Sequence, residues 1–375
     1  LNEVAGSSSV SMISQSYGRG DKLHTQSISE QTISFKVVLA VLSGLLLFVF
    51  LKPLLYVYTK NEAVIQHALD YGWLRIFFLP LAFSSYSVNT IFRCTDDSKT
   101  PMKIMVFAGL LNFILDPIFM KLMGEYAIEG AAIATVLSQI VQAVLTFHYF
   151  AKKSAFVGIH NIQKHKAIYS EMFSIGTSAM MMQILFAVQQ TFLFKQAFVY
   201  GGDNWGILMS ATMRLYMFSF IPLWGMSQGL QPVIGANFGA KQYGRVKDTM
   251  KIFMYGATIL AAASWIPSMF CSEKLLSLFS VRREIIEVGV VNFKMFYSTF
   301  ILYGIMIMTL TFFQSIGDGK KAGMIVMLRQ LVLFIPAILL FPKAFGASAV
   351  WWTEPIVDFS CLKSCLLKFC FECNV

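Results

Sequence analysis

Asp116 is the residue whose position most demands a chemical reason. It sits in PheAlaGlyLeuLeuAsn112PheIleLeuAsp116ProIlePhe, an otherwise apolar run. A carboxylate at the centre of a membrane helix costs about 2.5–3.5 kcal/mol on insertion scales. Asn112 lies four residues earlier and so shares its helix face. A carboxylate beside an amide oxygen suits a Na⁺ ligand set, and equally a proton carrier that loads as it is dehydrated. Pro117 removes a backbone donor and frees a nearby carbonyl, which could add a ligand or a kink. The alternative is an Asp116 placed at the headgroups, capping a helix. Asn89 on the preceding apolar run and Thr135 on the following one could face the same cavity, or could each serve as a helix-packing polar residue.

A second group of residues could line a ligand cavity. Gln183, Gln189 and Gln190 give their run a polar face. Met180, Met181 and Met182, with Phe186, Phe192 and Phe194, could offer a pliable aromatic wall to hydrophobic cations, with plain packing as the alternative. Arg214 and Lys294 could pair with Glu354 or Asp358, or snorkel to an interface. Arg75 and Arg329-Gln330 read the same way. No catalytic constellation accompanies them. There is no HExxH, no GxSxG and no Walker A loop, since Gly319-Lys320-Lys321 lacks both the leading Gly and the Ser/Thr. His160 and His165 lack metal spacing. Cys361, Cys365, Cys370 and Cys373 crowd the tail, where zinc is conceivable but one CxxC is weak evidence. A non-enzyme without a cofactor is expected.

The elements that position these residues follow from composition. Of 375 residues, 56% are hydrophobic and only 13% charged, against roughly 25% charged in a soluble domain. With 35 Phe and 21 Met, the chain is expected to be dissolved in lipid, and its net charge of +10 to reflect basic membrane loops rather than nucleic acid. A bilayer-crossing helix needs about 20 apolar residues. Such windows run over 35–58, 64–92, 101–122, 127–150, 168–194, 205–232, 249–271, 284–315, 322–342 and 346–369, with the end of another helix at 4–17. The runs are too long for barrel strands and lack their alternation. Most loop lysines and arginines fall in alternate connections, among them Arg19, Lys22, Lys36, Arg93, Lys99, Lys152, Lys153, Arg245 and Lys320. Those connections are expected to be cytoplasmic, including the inter-lobe stretch 151–167 and the C-terminus.

The chain also repeats itself. Phe92-Arg-Cys-Thr-Asp-Asp97-Ser-Lys99 aligns with Phe313-Gln-Ser-Ile-Gly-Asp318-Gly-Lys320 at an offset of 221, which also pairs Ile13 with Ile234 and Gly18 with Gly239. Gly130-Ala-Ala-Ile-Ala matches Gly346-Ala-Ser-Ala-Val after a shorter loop. A duplicated bundle with polar residues at its seam is a secondary-transporter architecture. The expectation is an all-α polytopic membrane protein of two pseudo-symmetric lobes, 1–151 and 152–375.

Arg93-Cys-Thr-Asp-Asp-Ser-Lys-Thr-Pro-Met, Asn112-Phe-Ile-Leu-Asp-Pro-Ile-Phe, Gly130-Ala-Ala-Ile-Ala-Thr and Gly225-Met-Ser-Gln-Gly-Leu-Gln-Pro-Val-Ile-Gly-Ala-Asn-Phe-Gly-Ala-Lys resemble the multidrug and toxic compound extrusion (MATE) family, in its bacterial and archaeal branch. The resemblance implies twelve helices in two six-helix lobes. About ten and a half would be present, with the first helix and most of the second lying upstream of this chain. It implies export of organic cations and drugs across the cytoplasmic membrane, exchanged for Na⁺ or H⁺ by alternating access, by a monomer. It carries a cation site over to Asp116, Asn112, Asn89 and Thr135, with possible Na⁺ at Asp116. The candidate substrate wall is Met182, Gln183, Phe186, Arg214 and Lys294. The sequence departs from the family at Cys94 and Asp96, usually Gly, at Thr177-Ser178, usually Ile-Pro, and in its Cys-rich end. The family's acidic residue on the first helix has no counterpart. The rival expectations are a lipid-linked oligosaccharide flippase of related fold and a non-functional transporter fragment.

Overall fold

The computed structural model describes residues 2–58, 60–95, 97–153, 166–279 and 281–373, without the side chains of residues 2, 57, 58 and 363–373. Among the described residues there is no strand. The helices are α1 (Asn2–Gly18), α2 (Lys22–Tyr58), α3 (Glu62–Phe77), α4 (Leu79–Cys94), α5 (Lys99–Met123) and α6 (Ala127–Lys153), followed by α7 (Lys166–Gly239), α8 (Tyr243–Phe270), α9 (Ser272–Leu278), α10 (Arg283–Tyr297), α11 (Phe300–Ser315), α12 (Gly319–Met327), α13 (Ile335–Phe345) and α14 (Ala349–Cys373).

Among the described residues six apolar stretches are long enough to cross a membrane, and two of them are too long to do so once. Lys99–Lys153 and Lys166–Gly239 would extend roughly 80 and 110 Å at 1.5 Å per residue, where hydrocarbon is about 30 Å thick. Each doubles back. The first reverses through a 3₁₀ turn at Gly124–Tyr126, and the Gly130 backbone then packs so close to α5 that a Cβ there would stand 2.7 Å from the Phe119 carbonyl oxygen. The second reverses at Gly202, whose φ of 66° and ψ of −166° suit only a residue without a Cβ. Three other expected spans are broken. Pro80 opens α4 after a break at Phe78, α10 and α11 part at Ser298 and Thr299, and a π-helical turn, Leu328–Phe334, joins α12 to α13. Pro336 lies just beyond that turn and has no amide to return to a carbonyl within it. Large apolar side chains point outward along α2 and α5, among them Phe48, Phe50, Leu110 and Phe113, an arrangement suited to lipid rather than water.

The repeat is a repeat of backbone geometry. The Asp21 amide donates to the Ser16 carbonyl at 3.2 Å, and 221 residues on the Gln242 amide donates to that of Asn237 at 2.9 Å. Gly20 and Lys241, at equivalent places, have φ of 77° and 57°. The Asp97 amide returns to the Phe92 carbonyl as that of Asp318 does to Phe313. Each aspartate then caps the next helix, Asp97 Oδ1 accepting from the Thr100 amide at 3.3 Å and Asp318 Oδ1 from that of Lys321 at 3.0 Å. The two matches that set the offset are therefore two copies of the same pair of turns.

The chain forms two compact units, Leu1–Phe173 and Ser174–Val375. The expected boundary in 151–167 falls largely on residues 154–165, outside the described ones, as do His160, His165 and Asp96. In the first unit the α1 serines Ser8, Ser9, Ser11 and Ser14 are wholly buried. In the second, Tyr216 is ringed by Phe296, Tyr297, Phe300 and Tyr303 at centroid distances of 5.3–6.2 Å. One charge moves. Lys36, expected in a connection, lies inside α2 with no exposed surface, its ammonium 4.8 Å from the centre of the Tyr86 ring. The apolar window begun at residue 35 places it at a span edge, but the helix runs unbroken from Lys22, so Lys36 is drawn inside.

Candidate functional site

The first unit assembles most of the expected cation site. The Asn112 amide Nδ2 donates to Asp116 Oδ1 at 2.9 Å and reaches Thr135 Oγ1 at 3.5 Å. The Thr135 hydroxyl spends its hydrogen on the Ala131 carbonyl at 2.9 Å. All three residues are half-buried. Carboxylate, amide and hydroxyl oxygens are the donors a hard monovalent cation takes, and the carboxylate could equally carry a proton.

Asn89 does not join them. It is buried, with Oδ1 accepting from the Thr146 hydroxyl at 3.3 Å. Thr146 follows Thr135 on α6 by three turns, roughly 16 Å along the axis, so Asn89 belongs to a different level of the helix pair. Beyond the end of α4, half-buried Asp97 braces the start of α5. Partial burial opposes its charge, but the Tyr149 hydroxyl, the Thr100 amide and the Lys153 ammonium at 3.2 Å outweigh that and hold its carboxyl below the usual range.

The second unit contains a cavity of about 380 Å³. Met182, Gln183 and Phe186 line it from the first arm of α7, and Phe220 and Trp224 from the returning arm. Phe220 stacks between Phe186 and Trp224, with centroids 6.4 and 5.8 Å away. Gln314 Nε2 and Gln330 Oε1 complete the wall, buried and without hydrogen-bond partners. An unpaired buried donor and acceptor in an aromatic cavity of ligand size point to a ligand that supplies both partners.

Two of the expected cavity residues stand apart. Arg214 is exposed and lines an adjoining, more open depression with Gln190 and Phe194, which shares Met217 and Ile221 with the cavity. Lys294 is exposed beside the buried stripe of Ile285, Gly289, Phe293 and Phe296 on α10. Neither pairs with Glu354 or Asp358. Arg329 takes that role from the π-helical turn. Its Nε donates to Asp358 Oδ1 at 2.8 Å, with Nη2 2.7 Å from the same oxygen, and Nη2 donates to Glu354 Oε2 at 3.3 Å. Its Nη1 reaches Gln189 Oε1 at 3.4 Å, and the Gln189 amide donates to Glu354 Oε1. The Thr299 hydroxyl donates to Asp358 Oδ2 at 3.4 Å. The guanidinium lies 5.1 Å from the centre of the Tyr303 ring, and both residues also line the cavity. The signal in the sequence was Glu354 and Asp358 four apart on one face; nothing in it chose Arg329 over Arg214 or Lys294. No group of three or more metal-binding side chains occurs among the described residues. The side chains of Cys365, Cys370 and Cys373 lie outside them.

The MatE family model matches residues 4–118 and 208–340, spanning the Asn112–Asp116 pair and Arg329. This chain belongs to the MatE family. Among similar proteins, the multidrug export protein MepA of Staphylococcus aureus is 27% identical over 307 residues, 80% of this chain and 66% of that protein. MepA of Staphylococcus haemolyticus is 24% identical over 353 residues, 93% of this chain and 77% of that one. The chain thus spans just under two thirds of S. aureus MepA. An outward-facing multidrug resistance MATE family transporter superposes with a TM-score of 0.92 at 21% identity, over 100% of this chain and 84% of that one. The MATE multidrug transporter DinF-BH in complex with R6G gives 0.87 at 26% identity, over 98% of this chain and 82% of that one. The fold is that of MATE transporters.

Proposed function

We propose that this chain is the core of a multidrug exporter that moves organic cations out through the cytoplasmic membrane in exchange for Na⁺ or H⁺. The observation that carries the reading is the 380 Å³ aromatic cavity beside a buried cluster of one arginine and two carboxylates. A planar cation would stack on Phe186, Phe220 and Trp224, with two unpaired glutamine groups to orient it. Asp116, with Asn112 and Thr135, is the coupling group. Loading it with a cation favours one of two alternating states, and drug is released as that state is populated. The polypeptide acts as a monomer, with the inter-lobe stretch and C-terminus cytoplasmic, as the basic connections favour.

A flippase for lipid-linked oligosaccharides would want a cationic cavity. Lys294 does not line this one, Arg214 lines only the adjoining depression, and Arg329 is offset by two carboxylates, so the observations favour the drug reading. The test is rhodamine 6G efflux from cells or everted vesicles carrying the protein. Wild type should extrude the dye and Asp116→Asn should lose cation-coupled extrusion, while Asn89→Ala should retain it. Undiminished coupled transport in Asp116→Asn would remove Asp116 from the mechanism; no efflux by wild type would favour an inactive fragment.

A further inference from the structure

The Arg329 cluster and Asp116 lie on corresponding helix pairs of the two halves, at different levels along them. The offset of 221 carries α5 onto the α12–α13 helix, and the Gly130 and Gly346 motifs carry α6 onto α14. In the first unit the polar group on this helix pair is Asp116 with Asn112 and Thr135. In the second it is Arg329 facing Glu354 and Asp358. With every carboxylate ionised, both places carry a formal charge of −1.

That residual charge is hardest to hold in the second unit, where Glu354 and Asp358 each show only 4% of their surface. Burying an uncompensated ion is costly, and a carboxylate so placed takes a proton instead. The guanidinium does not divide itself evenly. Two of its nitrogens lie 2.8 and 2.7 Å from Asp358 Oδ1, while Glu354 receives one at 3.3 Å and the neutral Gln189 amide. The titratable groups facing Glu354 are Arg329 from the π-helical turn, Asp358 one turn along α14, Tyr216 from α7 and Tyr303 from α11. No second cation stands among them. Glu354 is therefore the carboxyl with a weaker claim on Arg329 and the better proton acceptor.

We propose that Glu354 holds one exchangeable proton and that an organic cation entering the adjoining cavity displaces it. The inference rests on reading that cavity as the drug site. Arg329 and Tyr303 belong both to the cluster and to the cavity wall, so the two charges meet across one wall. With Glu354 protonated the cluster is neutral and Arg329 offers a cation no attraction. When the Glu354 O–H bond breaks and its proton leaves to water, the cluster becomes −1 and the arriving +1 restores neutrality. Binding and proton release are one event, placed in the second lobe and independent of Asp116.

The test is rhodamine 6G binding to the purified full chain between about pH 5 and 8, with an infrared titration of the protonated carboxyl stretch. One proton released per dye predicts affinity rising by up to about tenfold per pH unit. Glu354→Gln should flatten that dependence and delete the carboxyl band. Glu354→Asp, which keeps a titratable group, should retain both, and Asp116→Asn should leave the Glu354 carboxyl band in place. A flat wild-type profile, a slope or band surviving in Glu354→Gln, or a dependence on Na⁺ in place of pH would overturn the proposal. If the dye fails to bind at any pH, the drug-site reading falls. The infrared band, read without dye, then decides for or against the proton on Glu354.

Discussion

Replacing Arg329 by alanine should be among the most damaging single changes in the second unit. The side chain is 7% exposed and its two carboxylate partners 6% each. Truncating it leaves the Asp358 carboxylate buried without its cation, one helical turn from Glu354. Removing one partner of a buried ion pair costs about 3–5 kcal/mol. For a unit the size of Ser174–Val375, each kcal/mol shifts Tm by about 2–4 °C, so a fall on the order of 10–20 °C is expected in a thermal unfolding assay of detergent-solubilised protein. The informative control removes all charge at once: Arg329→Met with Glu354→Gln and Asp358→Asn. Apolar or neutral replacement of a complete buried ion group is often neutral or stabilising, so the triple variant should recover to within about 2 kcal/mol of wild type. A single variant as stable as wild type, or a triple variant that falls as far as the single one, would refute the view that uncompensated charge sets the cost.

Other expected outcomes concern the backbone and the loop charges. Gly202→Ala should lose about 1–3 kcal/mol, because an L side chain is strained at this φ and ψ even though open space surrounds the position; unchanged thermal stability would contradict the reversal at that residue. Asp97 is held below its ordinary value in the fold, so its contribution is fully present above about pH 4 and is lost as pH falls through the depressed value. Asp97→Asn should therefore lower stability at neutral pH, with the two unfolding midpoints converging under strong acid; a difference that instead widened in acid would reverse the assignment.

The transmembrane plan was readable because lipid imposes a length rule on apolar runs that water does not. The ten expected spans correspond to helices, or to helix pairs interrupted at Phe78, Ser298 and the π-helical turn. The repeat was legible for the same kind of local reason, since capping aspartates and turn residues act on neighbours within a few positions. The Asn112–Asp116 face was likewise fixed by helix periodicity. Asn89 was not so constrained: its type allowed a cation ligand, and its level against α6 gave it Thr146 instead. Lys36 was misplaced because helix continuity through Lys22–Tyr58 outweighed the polarity of the segment that precedes the apolar window.

The linear chain thus determined that this is a duplicated membrane bundle with costly polar groups in its spans, because hydrophobicity, period and turn chemistry are properties of short segments. Which groups meet was settled only in three dimensions. Arg214, Lys294 and Arg329 are equivalent candidates on paper, all cations in apolar runs. One π-helical turn, close to a proline, aims Arg329 at α14, while the other two lie on exposed faces. Pairing depends on azimuth and level between helices distant in sequence, and no local rule encodes either. The same holds for the cavity: α7 supplies two walls only because Gly202 turns it back upon itself.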